Sequence, residues 1–325
     1  MNINLNSLLT LWRKFWFEPT DTLTVCVFRI CYGILVLQIC LIHLGDHFKD
    51  WYGPRAIVDI NTVIAHFWYN EPHFDLLLLF PQSEATFQIF FYCLVAAASA
   101  LALGFCSRYA AALVWLALVS LHHHDPYNIN GGDAFLRAVG LFLAFSPCGD
   151  YLSIDSLIMN RGKGLPVKVE PKAPWAQRMI QMQLALVYWQ TFCCKIVGSQ
   201  WLDGTAVYYA TRLDDMQRFP APWLTDNLFL LKGLNWYTLI IELFGWTLIW
   251  FKETRYWVVV GLLVLHMGID YIINLPVFEW AFIAALITFV DPQDWRRLRH
   301  LLQWAERLAT PAKSAPKPGY ETSTQ

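Results

Sequence analysis

Charge is scarce in this chain. Of its 325 residues only 15% are Asp, Glu, Lys or Arg, while 56% are hydrophobic. A soluble domain carries nearer a quarter charged residues. So much apolar surface cannot be hidden in one soluble core, and the surplus must face lipid. Nucleotide and zinc-protease signatures are also missing, with no G-x-G-x-x-G, no phosphate-binding P-loop and no H-E-x-x-H. The net charge is −1 and no basic stripe runs along the chain, so no nucleic acid partner is expected. There is no solenoid repeat and no second domain.

Cysteine is present but forms no framework. Cys26, Cys31, Cys40, Cys93, Cys106, Cys148, Cys193 and Cys194 mostly fall inside apolar segments, where thiols act as small hydrophobes. His122, His123, His124 and Asp125 have no spaced partner motif. They read as packing residues, and no metal is expected. Residues 1–20 do not read as a signal peptide. They read as an amphipathic segment lying on the membrane, with Leu8, Leu9, Trp12 and Phe15 on one side.

What is plentiful is apolar sequence in span-length blocks. A span takes about 20 apolar residues. Eight candidates are 22–44, 85–103, 107–123, 132–147, 176–197, 235–251, 255–273 and 275–290, with GFCSR and KETR as two of the turns. Trp and Tyr, 16 and 14 in number, cluster at segment ends such as Trp51, Tyr52, Trp201 and Trp236, as an aromatic belt would. With the N-terminus inside, the inner loops and tail carry fifteen Lys and Arg: Arg13, Lys14, Arg108, Arg161, Lys163, Lys168, Lys172, Lys252, Arg255, Arg296, Arg297, Arg299, Arg307, Lys313 and Lys317. The outer loops carry Lys49, Arg55, Arg212, Arg218 and Lys232. That asymmetry fits eight spans with both termini cytoplasmic. The expected fold is therefore all-α, a polytopic integral membrane bundle of about eight transmembrane helices. Residues 1–20 form the amphipathic segment, 21–292 the transmembrane domain, and 293–325 a basic cytoplasmic helix with a disordered tail.

A charge at the bilayer centre costs roughly 2.5–3.5 kcal/mol on insertion scales. The ionisable residues read as intramembrane are Arg29, Asp133, Arg137, Lys195, Glu242, His266 and Asp270. Without His266 they balance three against three, which predicts internal pairing. Asp133 and Arg137 share a helical face, as do His266 and Asp270. Lys195 shares one with Thr191, Tyr188 and Gln181, and Glu242 with Thr238 and Asn235. In this topology all but Arg29 fall in the outer half, so a polar pocket opening outward is expected. A lysine held in low dielectric can act as a base at neutral pH, which makes Lys195 the leading catalytic candidate. The bland alternative is a lysine whose ammonium reaches the headgroups.

These residues lie in stretches that resemble the HTTM (horizontally transferred transmembrane) family, the superfamily of the vitamin K-dependent γ-carboxylase membrane domain. The resemblance runs from about 20 to 292 through VCVFRICYGILVL, HDPYNINGGDAFLRAVGLFLAFSPCGDYLSID, QLALVYWQTFCCKIVGSQWLDGTAVYYA, IELFGWTLIWFKETRYW and LLVLHMGID. It implies a quinol-dependent enzyme or a peptide maturation factor. The catalytic group would be Lys195, His266 and Asp133, with Lys195 as base. The pocket would comprise Arg137, Asn130, Tyr188, Trp201, Glu242 and Asp270, with Arg29 as a structural ion partner. A reduced quinone would be the cofactor and membrane lipid the surroundings, in a bacterial plasma membrane. Where the carboxylase has a histidine this chain has Asp133, so a shared pocket is implied more firmly than a shared reaction. The alternative is a non-enzymatic scaffold or transport-like component working with a partner such as a thiol-disulfide oxidoreductase. An enzyme should set Lys195, Asp133 and His266 around one cavity, whereas a scaffold should show the charges tightly paired with no cavity.

Overall fold

A computed structural model describes residues 4–68, 73–161 and 169–298. Its longer helices are α1 (Leu5–Phe17), α2 (Leu23–Gln38), α3 (Glu84–Leu103), α4 (Ser107–His124), α5 (Gly131–Phe145), α6 (Trp175–Ile196), α7 (Leu228–Thr247), α8 (Lys252–Ile272) and α9 (Phe278–Leu286). The described residues contain two isolated β-bridges and no strand. Each of the eight expected apolar blocks is occupied by a helix. Four stretches are long and apolar enough to cross a membrane: Leu23–Tyr52, Glu84–Leu103, Leu228–Trp250 and Lys252–Ile272. The last block is a shorter apolar helix, Phe278–Phe289.

Local chemistry sets the helix ends. Ser83 caps α3 by accepting from the Thr86 N–H, and Gly104 closes it at φ 73°. That left-handed conformation costs glycine little. Asn130 and Asp133 form a reciprocal capping box at the start of α5. KETR was expected as a turn but opens α8, with Phe251 as the extended residue before it. After Gln38, α2 widens into a π-helical stretch, Ile39–Leu44. It then leads into the short helix Phe48–Tyr52.

The chain runs back and forth between two ends of the bundle. At one end Thr24 bonds the Val290 carbonyl, Gln177 the Thr288 carbonyl and Arg108 the Ser146 carbonyl. At the other, Asn130 bonds the Pro276 carbonyl, Asn235 the Trp201 carbonyl and Arg218 the Asp270 carboxylate. Helices meet closely where side chains are small. A Cβ at Gly33 would lie 2.7 Å from the Ala102 nitrogen, so α2 and α3 touch backbone to backbone there.

Arg29 is fully buried but, contrary to expectation, forms no ion pair among the described residues. Its guanidinium donates to the carbonyls of Cys148 at 3.1 Å and Leu152 at 2.5 Å. All eight cysteines are free, and Cys93, Cys106 and Cys194 are exposed. The α1 segment is a helix with no buried residue. Most of the expected basic helix and tail lies outside the described residues.

Candidate functional site

Four helices bring the candidate site together at the second end. Lys195 lies in the last turn of α6 and ion-pairs with Glu242 on α7, their side chains 25% and 6% exposed. The Lys195 ammonium also sits 5.1 Å from the centroid of the Trp201 ring, close enough for a cation–π contact. One and two turns before Glu242 along α7, Thr238 and Asn235 are buried as well.

Next to this pair is a hydrogen-bonded row. Tyr188 on α6 meets His266 Nε2 on α8 through its hydroxyl at 2.8 Å. The opposite ring nitrogen of His266 bonds the carboxylate of Glu279 on α9. The imidazole lies flat on Phe282, 5.2 Å apart and 4° from parallel. Gly245 permits the approach of α7, because a Cβ there would come within 2.8 Å of the Tyr188 ring. One turn beyond His266, Asp270 pairs with Arg218 at 3.0 Å, and Arg218 also reaches Asn274 at 3.0 Å.

The cluster is short of donors. One oxygen each of Glu242, Asp270 and Glu279, and the side-chain oxygen of Asn235, are buried without a hydrogen-bond partner among the described residues. Three carboxylates therefore face Lys195 and Arg218, and His266 supplies a third positive charge only when doubly protonated. Buried acceptors of this kind call for a proton, a water or a ligand hydroxyl.

A cavity of about 660 Å³ opens beside Lys195. Trp201, Thr211, Phe229, Leu234 and Ile269 are among its walls, and among the described residues Lys195 is the one charged residue lining it. Gly233 and Gly268 also line it and face open space. A second cavity of about 390 Å³ lies elsewhere, lined by His43, Tyr52, His122, Asn128, Asn130 and Asp133 among others. Buried ring nitrogens of His43 and His122 have no partner among the described residues.

The expected constellation is thus divided. Lys195, Tyr188, Trp201, Glu242, His266 and Asp270 gather at one site, whereas Asn130 and Asp133 line the second cavity. The pairing of Asp133 with Arg137 does not form. Asp133 accepts from the Asn130 N–H at 3.0 Å instead, because the helix end needs its capping group. Arg137 is half-buried and makes no ion pair among the described residues. Sequence reasoning missed Glu279. Its signal was the one used for the others, a lone acid inside an apolar block. No group of three or more His, Cys, Asp or Glu among the described residues is placed to hold a metal.

An all-α bundle with span-length apolar helices, enclosing ion pairs and an apolar cavity, defines an integral membrane protein. Within that class the chain belongs to the HTTM domain family, whose pattern matches residues 17–295. No curated protein and no solved structure is similar enough to count as a match.

Proposed function

We propose that this protein spans a bacterial plasma membrane eight times with both termini cytoplasmic, and holds a lipid-soluble molecule against Lys195. The observation that carries this is the large cavity itself. Its walls are apolar, its single charged residue among the described residues is Lys195, and exposed Phe229, Val264 and Trp223 stand at its edge as lipid-facing side chains do. A reduced quinone would suit such a site: the apolar walls would hold its isoprenoid tail and Lys195 would meet its ring hydroxyl.

Such a group supplies an acidic hydroxyl and two electrons. The residues would do the rest. Moving the Lys195 proton to Glu242 leaves an amine able to accept the hydroxyl proton, in a site sheltered from water. The row Tyr188, His266, Glu279 fixes the neighbouring charges. A peptide or protein outside the membrane would be the object of maturation, as the family resemblance suggests.

The test is mass spectrometry of lipids retained through purification in mild detergent. Wild type, Lys195→Met and Gly268→Leu are compared, the last filling the cavity from a position with open space. The expected result is an isoprenoid quinone in wild type, less in Lys195→Met and none in Gly268→Leu. If wild type holds no isoprenoid, the quinol reading fails. A scaffold working with a thiol-disulfide oxidoreductase then takes its place.

A further inference from the structure

Two arginines at the opposite end of the bundle form no ion pair among the described residues. Arg178 is in the first turn of α6 and Arg255 in the first turn of α8. Among the described residues neither has a carboxylate within 4.0 Å. Arg178 donates to Gln181 at 2.9 Å, and its Nε is buried with no acceptor. Among the described residues Arg255 reaches the carbonyls of Ile249 and Trp250, each at 3.4 Å, the long limit for such bonds.

One aromatic ring ties the two together. Phe15 of α1 lies 4.9 Å from the Arg178 guanidinium and 5.8 Å from the Trp250 ring. Trp250 is the residue whose carbonyl Arg255 holds. Trp16, next in α1, also has a buried indole N–H with no acceptor. Glu18 pairs with Lys14, and among the described residues no carboxylate lies within ion-pair distance of Arg178 or Arg255, so holding the two guanidinium groups there is unfavourable unless an anion joins them.

The surroundings indicate which anion. The end where α2, α6 and α8 begin carries the excess of Lys and Arg, so on the membrane reading above it faces the cytoplasm. No residue of α1 is fully buried, and Leu8, Leu11 and Trp12 are 49%, 63% and 60% exposed. Such a helix needs acyl chains around it. Arginine pairs bind phosphate oxygens in fixed geometry.

We infer that Arg178 and Arg255 hold the phosphate of an anionic phospholipid of the inner leaflet, under α1. The site is distinct from the cavity at Lys195 and does not depend on any quinone.

The full chain in detergent is titrated with phosphatidylglycerol or phosphatidylcholine and followed by native mass spectrometry. Wild type should retain one phosphatidylglycerol under activation that strips the rest. The double variant Arg178→Gln/Arg255→Gln should bind it at least about tenfold more weakly. The single variant Arg255→Gln, which disturbs only two long carbonyl contacts, should fall between and keeps the test valid if the double variant folds poorly. A control, Arg13→Gln/Lys252→Gln, removes two exposed cations and should bind as wild type does. Equal binding by the Arg255 variant and wild type, or equal loss in the control, overturns the site in favour of diffuse surface charge. Displacement of the lipid by millimolar inorganic phosphate overturns the lipid assignment in favour of a free phosphate ligand.

Discussion

Removing one partner of the Lys195–Glu242 pair should harm the fold more than removing one partner from any exposed pair. Glu242 is 6% exposed at its side chain and Lys195 25%. Losing one member of a buried pair costs roughly 3–5 kcal/mol, because the remaining charge is stranded. In Glu242→Leu the stranded group is the lysine, which is a quarter exposed and can turn toward the headgroups. About 2 kcal/mol is expected. In Lys195→Met the stranded group is a carboxylate that already has one oxygen without a partner, and about 3 kcal/mol is expected. The double variant Lys195→Met/Glu242→Leu leaves no charge behind and should lose only about 2 kcal/mol, from repacking. The coupling is then about 3 kcal/mol, at the upper end for residues in contact. Unfolding in mixed micelles with increasing fractions of sodium dodecyl sulfate measures all four proteins. If the two single losses simply add in the double variant, the pair is not what constrains α6 against α7, and the buried-pair argument is wrong.

Gly33→Ala should lower stability by about 1–3 kcal/mol, since its Cβ would sit 2.7 Å from the Ala102 backbone nitrogen; the same micelle titration reads it. Asp155, outside the spans, is pulled both ways. Burial raises its pKa, but the Ser107 hydroxyl at 2.6 Å and the N–H groups of Ser107 and Cys106 at 2.7 Å outweigh it, and the carboxyl is held below its ordinary value. Its contribution is thus complete above the unfolded pKa of about 3.9 and disappears as pH falls through the folded value. Asp155→Asn should destabilise at pH 7 by roughly 1–3 kcal/mol and flatten the acid limb of a stability–pH curve. Asp125 works oppositely, because burial raises its pKa and its contribution fades as pH rises through the folded value. Cys106, exposed in the turn between α3 and α4, should react with a membrane-impermeant maleimide only after cells are permeabilised, as read by peptide mass spectrometry. Labelling in intact cells would invert the topology.

The chain alone determined that this is an all-helical membrane protein and where its apolar helices lie. Hydropathy is a property of consecutive residues, and a backbone in lipid must satisfy its own hydrogen bonds within the segment. Helical spacing also placed Lys195 with Tyr188, and Glu242 with Thr238 and Asn235, on shared faces. Spacing could not say which face meets which. Glu279 lies 13 residues from its partner His266, Glu242 lies 47 from Lys195, and Arg218 lies 52 from Asp270. An i,i+4 rule suggested Asp133 with Arg137, but the end of α5 needed Asp133 as a cap. The tertiary structure alone put Lys195 at the wall of an apolar cavity and Asp133 in a different one. Those choices depend on which helices pack together, where small residues such as Gly245 let them approach, and how much space is left between them.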